Sequence, residues 1–380
     1  MTMAADKQDK VLNVPTLRFP EFSGEWHRTT IGECCSPLEY GMNAPAKEYD
    51  GKNKYIRITD IDEETCTYKY DDVVSPNALL EEKYKVLDND ILFARTGAST
   101  GKAYLYDKKD GLMYYAGFLI RGNVKPDFNS KFVFLQTQTQ KYKKWVDIMS
   151  IRSGQPGINS QEYSSFKFHL PPSKVEQDKI STLFTLLDVR ITTQIRIIEK
   201  LKSLMKGLAE HLTEFTPNTK IADCLNCHSS ILQENQVKNK GKYKVYGANG
   251  VCGYSNSPAI LEDAILIVKD GSGVGNVSYA SGEYSVIGTS NYLTAKSGYS
   301  LKYLYYSLMI FNFVPYRTGM AIPHIYFKDY GKALIYCPSL DKQVQIATLL
   351  SMIECKIEAE KAITDSYQQQ KRFLLQTIFI

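Results

Sequence analysis

The sequence predicts an α+β protein built as a tandem repeat, a globular block followed by a long helix, twice over. Three observations lead there. Residues 173–214 and 339–380 each run for 42 positions without proline, with apolar side chains returning every three or four residues. Both stretches open alike: Pro172-Ser173, Gln177, Ile180 and Leu183 are matched by Pro338-Ser339, Gln343, Ile346 and Leu349. The blocks ahead of them mix strand and helix patterns in the same order, and a repeat of this size dictates the architecture.

In the first long stretch the apolar positions are Ile180, Leu183, Leu187, Ile191, Ile195, Ile198, Leu201, Met205, Leu208 and Leu212. They form one seam on a helix. Glu176 and Asp178 stand in its first turns and Lys200, Lys202 and Lys206 later, as the helix dipole favours. At ~1.5 Å per residue such a helix reaches roughly 60 Å and needs a partner along its seam. The second stretch supplies one, with Ile346, Leu349, Ile353, Ile357, Ile363, Tyr367, Leu374 and Ile378. Serine after proline is a suitable N-cap for both.

The chain has 380 residues, 12% of them aromatic and 27 of them tyrosine, which describes a folded protein of two or three domains. No apolar run suits a membrane span or a signal peptide, and the first ten residues are polar. The net charge of +5 is uneven. Residues 1–172 balance 23 basic against 23 acidic side chains, whereas residues 215–338 hold 11 against 7. A local surplus of this size is compatible with nucleic acid. Eight scattered cysteines read as reduced cytosolic thiols.

Within the blocks, residues 54–58 and 243–246 read as strands, and the buried runs 91–94 and 265–268 as core strands. Each core strand turns at a glycine-rich loop, 95–102 or 269–276. Residues 132–149 and 301–313 read as helices. Basic-polar loops at 152–158 and 317–322 follow, then closing strands at 166–170 and 333–336.

Several motifs fail on their chemistry. Gly97-Ala-Ser-Thr-Gly101-Lys102-Ala103 is one residue short of a phosphate-binding P-loop and lacks its metal-binding hydroxyl. Gly271-Ser-Gly-Val-Gly275 lacks the dinucleotide spacing. Cys224-Leu-Asn-Cys227-His228 matches a haem-attachment pattern but has no export signal beside it, and too few further ligands for zinc. None of the five histidines falls in a recognisable catalytic constellation. The chain therefore reads as non-catalytic, with no metal or cofactor of its own.

What remains is a set of polar, basic and aromatic residues on matching loops. In the first block these are Thr59, Arg95, Thr96, Ser99, Lys102, Arg152, Gln155 and Asn159. In the second they are Tyr246, Asn249, Lys269, Ser272, Asn276, Arg317 and His324. Arg and Lys suit guanine and phosphate, Asn and Gln suit adenine, and aromatic rings stack or wedge. Recurrence of the landmarks in both blocks gives the set its weight.

On these residues the chain resembles the specificity (S) subunits of type I restriction-modification systems. The resemblance rests on the lead-in Pro15-Thr-Leu-Arg-Phe-Pro-Glu-Phe22…Trp26 and on Tyr243-x-x-Tyr-Gly-x-Asn-Gly250. It rests further on Ile-Leu-x-x-[Arg/Lys] before each glycine loop and on the paired helix starts, and it covers about residues 14–380. It implies two target recognition domains separated by two long antiparallel coiled-coil helices, related by a pseudo-twofold internal repeat. The expected divisions are a flexible tail (1–14), recognition domain 1 (15–172), a central spacer helix (173–215), recognition domain 2 (216–338) and a C-terminal spacer helix (339–380). Each domain would read half of a bipartite double-stranded DNA target in a prokaryotic cytoplasm. Two modification (M) subunits would bring S-adenosylmethionine, and two restriction (R) subunits ATP and Mg. One departure stands out: the second block opens with Lys220-Ile-Ala-Asp223 alone, without the lead-in phrase. The rival reading is a two-domain adaptor on a helical strut, binding protein or carbohydrate.

Overall fold

The computed structural model describes residues 13–380. The first twelve residues of the expected tail lie outside them, while Asn13 already belongs to the fold, its carbonyl accepting from the Trp26 N–H at 2.8 Å. The chain divides into two compact units. Unit 1 holds residues up to Thr193 together with Thr364–Ile380, and unit 2 is Gln194–Ile363.

Unit 1 is organised on the strand Asp90–Ala94, every residue of which is buried. Its side chains alternate between two cores, as a pleated strand requires. Ile91 and Phe93 join Phe132, Tyr163 and Phe166, whereas Leu92 and Ala94 join Tyr104, Met113 and Tyr115. Leu119–Asn123 and Ala103–Leu105 flank it, and Glu39–Tyr40 adds an edge, all antiparallel. Beside this sheet, Lys54–Ile56 pairs in parallel with Met113–Tyr115.

Unit 2 repeats the plan. Ala264–Val268 is the buried central strand between Ser290–Ala295 and Val277–Ala280, with Leu225–Ser229 at the edge. Ile265 and Ile267 face one core, Ala264 and Leu266 the other. Tyr243–Gly247 pairs in parallel with Tyr284–Val286 and also carries a hairpin partner, Gly250–Ser255.

The long helices are Lys174–Thr213 and Leu340–Thr377. They run antiparallel within each unit. In unit 1, Phe184 meets Phe379, Asp188 pairs with Lys371 at 2.7 Å, and Arg190 donates to the Tyr367 hydroxyl at 3.2 Å. In unit 2, Gln194 Nε2 donates to Glu360 at 2.8 Å, and Ala209 shares a core with Ala347 and Leu350. The second helix is phased differently from the expected seam: Leu349 and Ile363 are exposed, and Ala347 and Leu350 take the buried face.

Three of the elements that are shorter than their patterns suggested end for local reasons. The run 132–149 is two helices, Ser130–Gln136 and Gln140–Met149. Thr137 and Thr139 hydroxyls donate to the carbonyls of Phe134 and Gln136, and Thr139 caps the second helix. Such local bonds compete with helix continuation. The strand at Lys54 stops at Ile56 because the Arg57 backbone and guanidinium both turn onto the Asp60 carboxylate. The helix at Leu301 stops at Met309, before Asn312 accepts from the Val314 N–H and Pro315 blocks a further turn.

Candidate nucleic-acid interface

In unit 1 the chain leaves the central strand at Arg95 and is stitched to a second loop. The Arg95 N–H donates to Phe118 O at 3.0 Å, Ile158 N–H to Arg95 O at 2.9 Å, and Gly97 N–H to Pro156 O at 2.9 Å. Gly97 has φ +68°, and the Gln155 amide nitrogen lies 3.0 Å from where a side-chain carbon would stand, so only glycine fits this turn. The Arg95 guanidinium sits 4.8 Å over the Tyr40 ring. The Tyr40 hydroxyl accepts from both the backbone and the hydroxyl of Ser160, each at 3.2 Å. Burial raises the Tyr40 phenol's pKa, but the Ser160 bonds and the Arg95 charge outweigh it and hold it below the ordinary value.

Arg95, Thr96, Gln155 and Asn159 are thus brought around one turn, Thr96 bridging to Gly157. Ser99 shapes the same turn through its carbonyl, which accepts from the Lys102 N–H. Lys102 Nζ reaches Glu63 at 3.2 Å, on the segment after Thr59. Thr59 is exposed, and its hydroxyl donates to Asp60. Arg152 is engaged within its own loop, forking onto both Glu162 oxygens at 2.7 Å and donating to the Met149 and Ile151 carbonyls. Asn159 caps the helix Ser160–Ser164.

Unit 2 uses the same frame. Lys269 N–H donates to Thr289 O, Ile325 N–H to Lys269 O, and Gly271 N–H to Pro323 O, each at 2.9 Å. The structural partner of Ile158 is therefore Ile325, so the second loop aligns three residues later than its sequence pattern implies. Arg317 Nη2 donates to Val274 O at 2.8 Å, tying this loop to the glycine turn. Ser272 and Asn276 are exposed on that turn. A side-chain carbon at Gly273 would stand 3.2 Å from the Asn276 amide and 3.8 Å from Ala248, which puts the Tyr246–Gly250 hairpin turn alongside. Asn249 is exposed there, whereas Tyr246 is half-buried edge-on to Tyr284. His324 bridges to both Asp270 and Thr318.

In both units a hydrogen-bonded frame holds half-buried and exposed side chains able to meet phosphates and base edges. The family model for the type I restriction modification DNA specificity domain matches this chain twice, over residues 25–203 and 218–367. The chain belongs to that family. It carries that DNA specificity domain in two copies. Over 112 residues it is 22% identical to the type I restriction enzyme EcoprrI specificity subunit of Escherichia coli. That match takes in 30% of this chain and spans 28% of the length of that relative. The fold is similar to the S subunit of a type I restriction-modification system from M. genitalium, with a TM-score of 0.65 and 16% identity over 97% of this chain and 99% of that one. It is also similar to a chain from a study of complex assembly and conformational transition of the type I R-M system, with a TM-score of 0.53 and 15% identity over 93% and 96%.

The Cys-x-x-Cys-His segment has a structural setting. Cys224 is buried with its sulfur 3.7 Å from that of Cys337, whereas Cys227 lies on the edge strand Leu225–Ser229. Among the described residues no group of three or more His, Cys, Asp or Glu side chains is placed to hold a metal, and no helix is long and apolar enough to cross a membrane. Residues at the candidate interface that pattern alone passed over are Tyr40, exposed Phe118 beside Arg95, and exposed Met320 and Ile322 beside Arg317. For Tyr40 the available signal was its place next to Gly41, where any side chain would collide with the Ala116 backbone. Apolar loop residues carry no such signal.

Proposed function

We propose that each unit reads one half of a bipartite DNA target, unit 1 through the turn at Arg95 and unit 2 through the turn at Lys269. The observation that carries this reading is one hydrogen-bond frame, used twice, holding two different sets of side chains. Equal frames with unequal contents suit two readers of two different sequences. The DNA-facing residues are those of the two loop clusters: Thr59, Arg95, Thr96, Ser99, Lys102, Arg152, Gln155 and Asn159, and Tyr246, Asn249, Lys269, Ser272, Asn276, Arg317 and His324. Residues 15–172 and 216–338 are the recognition domains, and the helices 173–215 and 339–380 set the gap between half-sites.

The helices also dock the partners. Leu186 and Val189 on the first long helix are exposed, as are Met352 and Cys355 at the matching repeat positions of the second. Apolar side chains in that register suit a partner helix. Two M subunits carrying S-adenosylmethionine would bind there, and two R subunits would add ATP- and Mg-dependent cleavage in a prokaryotic cytoplasm, this chain itself holding no cofactor.

The test is a methylation map of DNA from cells making this chain with its M subunit. The expected result is a split motif with methyladenine in each half and a fixed gap. Arg95→Ala should weaken one half-site and Lys269→Ala the other, by about 1–3 kcal/mol where the contact is to a base. Loss of both half-sites in either single variant would overturn the modular reading. No methylation despite a stable complex would favour the adaptor.

A further inference from the structure

The loop of unit 2 that follows Arg317 has a tip unlike its counterpart in unit 1. Thr318 and His324 close it with two backbone hydrogen bonds, Thr318 N–H to His324 O at 2.9 Å and His324 N–H to Thr318 O at 2.8 Å. Gly319, at φ +85°, makes the turn, and a side chain there would collide with the Ile322 carbonyl. Pro323 and Ile325 are fastened to the glycine turn through Gly271 and Lys269. His324 Nδ1 lies 3.2 Å from the Ile322 carbonyl. The five residues 319–323 are therefore a braced projection, not a slack loop.

At its end stand Met320, fully exposed, Ala321, and Ile322, 66% exposed. Held by so many bonds, Met320 nonetheless buries nothing of its own fold and Ile322 stays mostly exposed. In unit 1 the residues ahead of Pro156 at the same place are Ser153, Gly154 and Gln155, all polar or bare. The root of the apolar tip carries Lys269 beside Asp270, and exposed Arg317 adds a second cation at its entrance. Cations beside an apolar point match a duplex, whose phosphates are anionic and whose major groove presents one apolar group, the thymine C5-methyl.

Resting on the reading of unit 2 as a DNA reader, we infer that Met320 and Ile322 recognise a thymine methyl in the second half-site. Unit 1 has an amide, Gln155, in the equivalent place and reads by hydrogen bonding. The two halves of the target are thus told apart by different chemistry, apolar contact in one and polar contact in the other. Met320 reaches because it is long and flexible, and Ile322 supports it because its carbonyl is fixed.

The experiment uses the complete complex with its M subunit and duplexes carrying the mapped target. Thymines are replaced one at a time by deoxyuridine, which keeps base pairing and removes only the methyl. Binding by the unaltered complex should fall about four-fold at one position of the half-site that Lys269→Ala weakens, the worth of one apolar carbon leaving water. The Met320→Ala, Ile322→Ala double variant should bind both duplexes equally, and substitutions in the other half-site should not respond to it. Both side chains are exposed, so the variant folds. If the unaltered complex methylates both halves yet ignores every deoxyuridine in the second, the inference is overturned while the two-part reading stands. A wedge inserted between base pairs would give that outcome, because unstacking does not depend on the methyl. Absence of any two-part methylation would overturn both.

Discussion

Unit 1 and unit 2 fasten the turn after their central strands with matching bonds, yet the two turns offer different surfaces. Ala94 N–H to Lys102 O and Gly101 N–H to Ala94 O become Val268 N–H to Asn276 O and Gly275 N–H to Val268 O. Lys125 and Lys296 donate to the Cys34 and Cys224 carbonyls, and Gln177 and Gln343 accept from the N–H groups of Asn129 and Ser300. Backbone bonds depend little on side-chain identity, so a frame built of them survives wholesale exchange of what it displays. At the exposed tips such exchange costs the fold least.

The sharpest departure from this parity is at the helix starts. Glu176 is buried, held by Arg18 at 2.7 and 2.8 Å and by the Trp26 indole N–H at 3.3 Å. The matching position of the second helix is Lys342, which is exposed. Glu176→Ala should cost about 3–5 kcal/mol, because it removes the carboxylate from the mostly buried Arg18 guanidinium and leaves it only the Ser23 and Gly24 carbonyls. Lys342→Ala should stay within about 0.5 kcal/mol. Chemical denaturation measures both. The only two tryptophans, Trp26 and Trp145, are in unit 1, so their fluorescence isolates the first effect. Similar losses in the two variants would show that the lead-in clamp contributes nothing particular to unit 1.

A smaller pair of effects concerns two carboxylates that play the same part. Asp188 takes Lys131 and Lys371, each at 2.7 Å, and Glu354 takes Lys302 and the Tyr306 hydroxyl, each at 2.8 Å. Burial raises both pKa values, but Lys131 and Lys371 at Asp188, and Lys302 with the Tyr306 and Tyr305 hydroxyls at Glu354, outweigh it and hold each carboxyl below its usual range. The folded state thus binds the proton less readily than the unfolded chain. The stabilisation is complete above the ordinary carboxylate range and disappears as pH falls through the lower folded value. Asp188→Asn should cost about 1–3 kcal/mol at neutral pH. It should also flatten the acid limb of unfolding followed by tryptophan fluorescence. Glu354→Gln should leave that limb unchanged. Equal flattening by both would mean that the units unfold as one.

These contrasts also explain what sequence could and could not reveal. The long helices were legible because a seam of apolar residues repeats over many turns, and each core strand because four apolar residues stand together, 91–94 and 265–268. The phase of the second helix was less so: Leu349 and Leu350 are adjacent and equally apolar, and only packing against Ala209 selects the latter. The loop candidates divide in the same way. Arg95 follows directly from the strand that ends at Ala94. Arg152 has the composition of a DNA contact, but its fork onto Glu162 is a tertiary fact. Met320 looked like an ordinary apolar residue, since exposure is not written in residue type.

The smallest effect bears on whether Asn159 holds the loop, touches DNA, or does both. Its side chain accepts from the Glu162 N–H at 2.9 Å while Glu162 accepts from the Asn159 N–H at 2.8 Å, closing a reciprocal cap on the helix Ser160–Ser164. The same Glu162 receives Arg152, so the cap and the loop share one carboxylate. In unit 2 the corresponding helix Phe327–Tyr330 begins at Tyr326, which makes no side-chain cap. Asn159→Ala should therefore cost about 1 kcal/mol, and Tyr326→Ala nothing through capping. Asn159→Ser keeps an oxygen for the cap but removes the amide that could address adenine. If Asn159→Ser restores both stability and methylation of the first half-site, Asn159 serves the loop alone. If stability returns while that half-site stays weakened, the residue also reads DNA, and the shared frame of the two units is itself partly made of reading side chains.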